Sequence, residues 1–227
     1  MVKTFLILII LQIFLNASEQ IILVLSNDSN DNKATLSCFE DGEKVFKDFK
    51  VNLGKNGLGW GLGIIDLKKD KNDALKYEGD KKAPIGIFKL TQVFGYKKQN
   101  NLHMPYLHVD KDTICVDDSN HKNYNQIITM PINKPKSFEV MKRDDHQYEL
   151  GIVVEHNKKQ VPQRGSCIFL HVENFKGAST AGCTSMSLEN IKKIVHWLDK
   201  SKNPILIQIP KKELYQLKKL YPNLEYN

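Results

Sequence analysis

Hydrophobic and polar positions along the chain fall mostly into short alternating runs, the period of half-buried β-strands. Ile21 to Leu25 is β-branched and leucine-rich, Ala34 to Phe39 alternates, and the Asn/Asp cluster SNDSNDN between them predicts a hairpin. Glu43 to Leu53 continues as a strand and closes on Gly54-Lys55-Asn56-Gly57, whose Asn-Gly pair favours a tight turn. Further strands are predicted at Gly86 to Thr91, Thr113 to Val116, Leu150 to Glu155 and along the apolar run Gly165 to Val172. The helical period appears only near the end of the chain. Ser187 is placed to cap a helix carrying Leu188, Ile191, Val195 and Leu198 on one face and ending near Asp199. Ile205 to Ile209 is one more strand, and Lys211 to Tyr221 a shorter amphipathic helix. Many short strands separated by turn signals predict a mainly β fold, a β-sandwich or partly closed barrel with C-terminal helices.

The first seventeen residues do not fit that pattern. Lys3 precedes the apolar run Phe5 to Leu15, and Ala17 offers a small residue for cleavage, the layout of a secretory signal peptide. Eleven residues are too few to span a bilayer as a helix, which takes about 20. No later run reaches that length and no linker composition divides the rest. The expected organisation is a signal peptide over residues 1–17 and one domain over 18–227, exported to the periplasm or cell envelope without stable membrane insertion.

Composition narrows the classes. At 41% hydrophobic and 26% charged residues, the chain can bury a core, which excludes disorder along its whole length. The net charge of +7 is spread among acids, as in residues 67–82 (LKKDKNDALKYEGDKK), and predicts a solvated loop there, not a nucleic-acid groove. Gly59, Gly61 and Gly63 around Trp60 lack the spacing and following helix of a dinucleotide fingerprint, and Trp60 is expected in the core. Cys38, Cys115, Cys167 and Cys183 contain no CxxC pair, so no zinc site is expected. Cys38 and Cys167 are read as core residues and Cys115 as structural. If Cys183 is a working thiol, the other three allow at most one disulfide.

Candidate chemistry is concentrated in residues 171–185, HVENFKGASTAGCTS. His171 ends an apolar strand, a glycine-containing loop follows, and Cys183 leads into the capped helix. A thiol close to a helix N-terminus is expected to favour its thiolate. Gly182 permits close backbone approach, so that N–H groups beside Cys183 can face a developing oxyanion. His171 lies at a chain distance that allows it to return beside Cys183 as general base. Ala181 and Thr184 flank the Gly182-Cys183 pair in the candidate oxyanion and substrate-binding stretch, Tyr124 and Asn125 are candidates for shaping a substrate groove, and Glu173 for orienting His171.

These segments together resemble the L,D-transpeptidase catalytic domain of the YkuD type. The likeness rests on Pro84-x-Gly86-x-Phe88, His171 with its glycine-containing loop and the Thr-Ala-Gly-Cys ending at Cys183. Phe94-Gly95-Tyr96, Met104-Pro105-Tyr106, Val116-Asp117-Asp118 and Gly151 to Val154 before His156-Asn157 add to it in order. The resemblance implies a mostly β domain and cysteine peptidyl transfer on peptidoglycan stem peptides, with Cys183 as nucleophile, His171 as base, Gly182 with the Cys183 N–H at the oxyanion, and no metal or organic cofactor. Ala181 stands where many members have a second His, and Ser185 where many have Arg. The alternatives are an L,D-carboxypeptidase on the same stems and a non-catalytic wall-binding module.

Overall fold

The computed structural model describes residues 18–224, so the signal-peptide segment lies outside the described residues. The strands are β1 (Gln20–Ser26), β2 (Lys33–Glu40), β3 (Glu43–Lys44), β4 (Phe49–Asn52), β5 (Leu58–Trp60), β6 (Ala83–Gly95), β7 (Tyr106–His108), β8 (Thr113–Val116), β9 (Ile127–Thr129), β10 (Phe138–Val140), β11 (Leu150–Val154), β12 (Phe169–Val172), β13 (Thr184–Met186) and β14 (Ile205–Pro210). The helices are α1 (Leu188–Trp197) and α2 (Leu214–Leu220). Neighbours in the main sheet run β1-β14-β6-β11-β12-β13-β4-β2, and β2 pairs again with β1, so the path returns on itself. The ring is thin between β13 and β4, which join only at Ser185 opposite Asn52. This is a mainly β fold with a partly closed barrel, as the alternating pattern predicts.

Burial explains the strand choices. β14 is buried at every residue because β1 flanks it in parallel and β6 antiparallel, so it reads as an apolar run interrupted only by Gln208 and without alternation. Ile22, Leu36, Ile87, Leu170, Met186 and Ile207 meet in one core. Ser187 Oγ accepts the Asn190 N–H and caps α1, which turns Ile191, Ile194 and Val195 inward against β11 and β12. A separate sheet, β10-β8-β9, stands beside the barrel.

Three elements differ from the sequence expectation. The strand over Glu43 to Leu53 is broken between β3 and β4, where the Val45 N–H turns back to the Cys38 carbonyl and Ser37 Oγ bonds Asp48. The strand expected from Gly165 starts only at Phe169, because Cys167 adopts φ 53°. The last helix begins at Leu214 after a 3-10 turn over Lys211–Glu213.

Cys167 is buried, as expected of a core residue, but it is bonded to Cys115, which corrects the reading of it as a plain core thiol. The bridge ties the three-stranded sheet to the segment entering β12 across 52 residues of chain. A loop of that length stabilises the fold by about 4 kcal/mol through lost unfolded-state entropy. Replacing both cysteines by alanine is therefore expected to lower urea-unfolding stability by about 2–4 kcal/mol. An unchanged midpoint would show that the bridge contributes nothing to the fold.

Candidate active site

β12 and β13 run parallel with Leu170 opposite Thr184 and His171 opposite Ser185. The same register, carried back one residue, sets Phe169 against Cys183, and the Phe169 N–H donates to Cys183 Sγ at 3.3 Å. Side chains two apart on a strand share a face, so His171 stands diagonally across from Cys183 on one side of the sheet. Both line a cleft of about 500 Å³, with Lys76, Glu78, Glu139, Arg143 and Tyr148 among its walls. A wider groove of about 770 Å³ over β1, β2 and β4 contains neither residue, so the smaller cleft is the candidate active site.

The turn before Cys183 is held from within. Thr180 Oγ1 accepts the Gly182 N–H at 3.1 Å and donates to the Cys183 carbonyl at 2.6 Å. Gly182 has φ 149°, and a Cβ there would stand 3.1 Å from the Lys82 carbonyl oxygen, so the position calls for glycine. Because Thr180 takes the Gly182 N–H, Gly182 serves the turn's conformation and the Cys183 N–H is left as the candidate oxyanion donor. Cys183 Sγ donates to the Cys167 carbonyl at 3.4 Å.

The YkuD L,D-transpeptidase catalytic-domain family model matches residues 21–207. The chain belongs to this family. A mutant form of the helical cell shape determining protein Pgp2 from Campylobacter jejuni aligns at 17% identity and a TM-score of 0.41, over 85% of this chain and 48% of that one. The chain thus spans about half the length of that structure. No match is found among curated proteins.

In this L,D-transpeptidase domain the His171 tautomer follows from its bond. Nδ1 lies 2.7 Å from the Val172 carbonyl oxygen, which can only accept, so Nδ1 carries the proton and Nε2 keeps a lone pair. The ring packs edge-on to Tyr148 with centroids 5.3 Å apart, and the Tyr148 hydroxyl donates to Glu139 at 2.5 Å. Burial lowers the His171 pKa to about 4, partly opposed by the Val172 bond. Burial, with Glu139 nearby, raises the Cys183 pKa to about 12. At neutral pH the resting pair is thiol and imidazole, which corrects the thiolate expectation. β13 separates Cys183 from α1, whose first residue is Leu188, and a helix dipole fades within its first turn.

Other expected residues stand elsewhere. Thr184 points to the opposite face and donates to Gln208 Oε1 at 2.6 Å, so its side chain braces the barrel instead of binding substrate. Ala181 is exposed at the cleft rim. Tyr124 donates to Glu78, while Asn125 bonds the His156 and Asn157 carbonyls and accepts the Cys167 N–H at 2.9 Å. Neither lines the Cys183 cleft itself, but Asn125 lines a neighbouring pocket of about 370 Å³ that shares Cys167 and Ile168 with it. Glu173 accepts from Asn52 and Gly177, not from His171. Trp60 is buried as expected, with Nε1 donating to Asp73 at 2.8 Å. Lys76 and Glu78 come from the run read as a solvated loop. Their only sequence signal is the Lys76–Asp80 spacing around Gly79.

His156 is a second buried histidine, not tied to the cleft, with Nε2 bonded to the Arg164 carbonyl and Nδ1 accepting from Leu62. Burial lowers its pKa to about 4 as well. For both histidines the unfolded chain binds protons that the folded one refuses, so stability rises with pH between about 4 and 6.5 and is lost as pH falls through that window. Each contributes about 3 kcal/mol of acid destabilisation. Urea midpoints should fall steeply over that window, and His156→Gln should flatten the slope by about 1.4 kcal/mol per pH unit. An unchanged slope would show that His156 titrates normally in the folded chain.

Proposed function

We propose that this domain is an exported cysteine peptidyltransferase acting on peptidoglycan stem peptides. The observation that carries the proposal is the placement of Cys183 and His171 on one face of adjacent strands, in one cleft, with Nδ1 held by the Val172 carbonyl. His171 Nε2 takes the thiol proton as Cys183 Sγ attacks the diaminopimelate carbonyl, and the Cys183 N–H faces the oxyanion. The imidazolium then passes its proton to the departing amine of D-Ala, leaving a thioester on Cys183. An amine of a neighbouring stem attacks the thioester, His171 accepts its proton, and the thiol is restored with a 3-3 cross-link formed. Export is supported by the apolar leader and by the Cys115–Cys167 bridge, since disulfides persist in oxidising compartments. No helix of the described residues is long and apolar enough to cross a membrane.

Incubation of the chain from Ser18 onward with disaccharide-tetrapeptides, followed by mass spectrometry, tests this. Release of D-Ala with cross-linked dimers is the expected result. Tripeptide without dimers would make the domain an L,D-carboxypeptidase, with water as acceptor. Binding without turnover would make it a wall-binding module.

A further inference from the structure

Lys76 is the most deeply buried cation of the described residues, 3% exposed, yet it lines the Cys183 cleft. Its stem runs between two glycines of positive φ. A Cβ on Gly165 would stand 3.1 Å from Lys76 Cε, and one on Gly182 would stand 3.6 Å from Nζ. The ammonium therefore rests against the backbone of the residue just before the nucleophile. Nζ donates to the Tyr77 carbonyl at 2.7 Å and to Asp80 Oδ1 at 2.6 Å. An ammonium has three donors, so one N–H has no protein acceptor among the described residues. Asp80, the ion-pair partner of Lys76, also accepts the Tyr77 and Lys82 N–H groups. A buried ammonium with one donor left over is a ready partner for an anion entering the cleft.

Resting on the peptidyltransferase reading, we propose that Lys76 is a specificity-determining residue that binds the terminal carboxylate of the leaving D-amino acid. That carboxylate lies one residue, about 3.8 Å, beyond the scissile carbonyl, and Lys76 Nζ lies beside the residue adjoining Cys183. Ser185, two residues beyond Cys183, is buried against Asn52 and brings no charge to the cleft.

The test compares two synthetic tetrapeptide stems, one with a free C-terminal carboxylate and one with a C-terminal amide, by rate of Cys183 acylation and release of the terminal residue. The wild-type domain should prefer the free acid by roughly 10- to 100-fold, the worth of a charge-assisted hydrogen bond. Lys76→Met should reduce that preference to about 2-fold or less, raising KM for the acid and costing the acid more than the amide. Lys76→Arg should restore part of the preference. Equal rates for acid and amide in the wild type would overturn the proposal even if the variant failed to fold. A preference that survives Lys76→Met, or an equal loss on both peptides, would also overturn it, the latter pointing to the oxyanion instead. If the wild type formed no acyl adduct with either peptide, the peptidyltransferase reading would itself fail and this assignment with it.

Discussion

Cys183→Ala is expected to abolish release of D-Ala and formation of dimers, a loss of roughly 10⁴- to 10⁶-fold. The substitution removes the only sulfur in the cleft that is free to form a thioester, since Cys167 is bonded to Cys115 and Cys38 is buried elsewhere in the core. It also deletes only one atom from a turn braced through backbone and Thr180, so the fold should be retained. Stem-peptide binding should survive. Product analysis of wild type and variant, matched for thermal midpoint, checks this, and a variant with even a tenth of wild-type turnover would remove Cys183 from the nucleophile's role.

The second large effect is at His171. A buried imidazole with its pKa lowered to about 4 is already the base at neutral pH, so kcat/KM should rise with pH through about 4 and then level off. The thiol, raised to about 12, should impose no second limb in the working range. His171→Gln should lower kcat/KM by roughly 10²- to 10⁴-fold and remove the acid limb. Iodoacetamide labelling of Cys183 in the wild type should climb with pH well past neutrality. Labelling that saturates below neutral pH would instead mean a thiolate–imidazolium resting pair.

Much of this was legible in the sequence because strand periodicity and the local motif are short-range signals. The segment from His171 to Cys183 carries the proposed nucleophile, the proposed base and the glycine turn within thirteen residues, and their spatial meeting needs only that two successive strands lie parallel. What was not legible depends on long-range placement. Cys167 pairs with Cys115 across 52 residues, which no local pattern announces. Thr184 and Cys183 are neighbours in sequence yet face opposite sides of the sheet, a one-residue distinction set by register. Lys76 and Glu78 lie in a charged run that resembles any solvated loop until Gly165 and Gly182 are seen to make room for the lysine. The thiol's titration was misjudged for the same reason: the helix was visible in the sequence, but β13 between Cys183 and that helix was not, nor was the burial that outweighs any dipole.

In the proposed reaction the acyl group passes through Cys183. Intact-protein mass spectrometry of the wild-type domain, acid-quenched during turnover of a tetrapeptide stem and followed by peptide mapping, tests it most directly. The expected result is a tripeptidyl adduct on the peptide containing Cys183, formed with stoichiometric release of D-Ala and discharged on adding an amine acceptor. Turnover of the stem with no adduct at Cys183, or with the adduct on another residue, would contradict it.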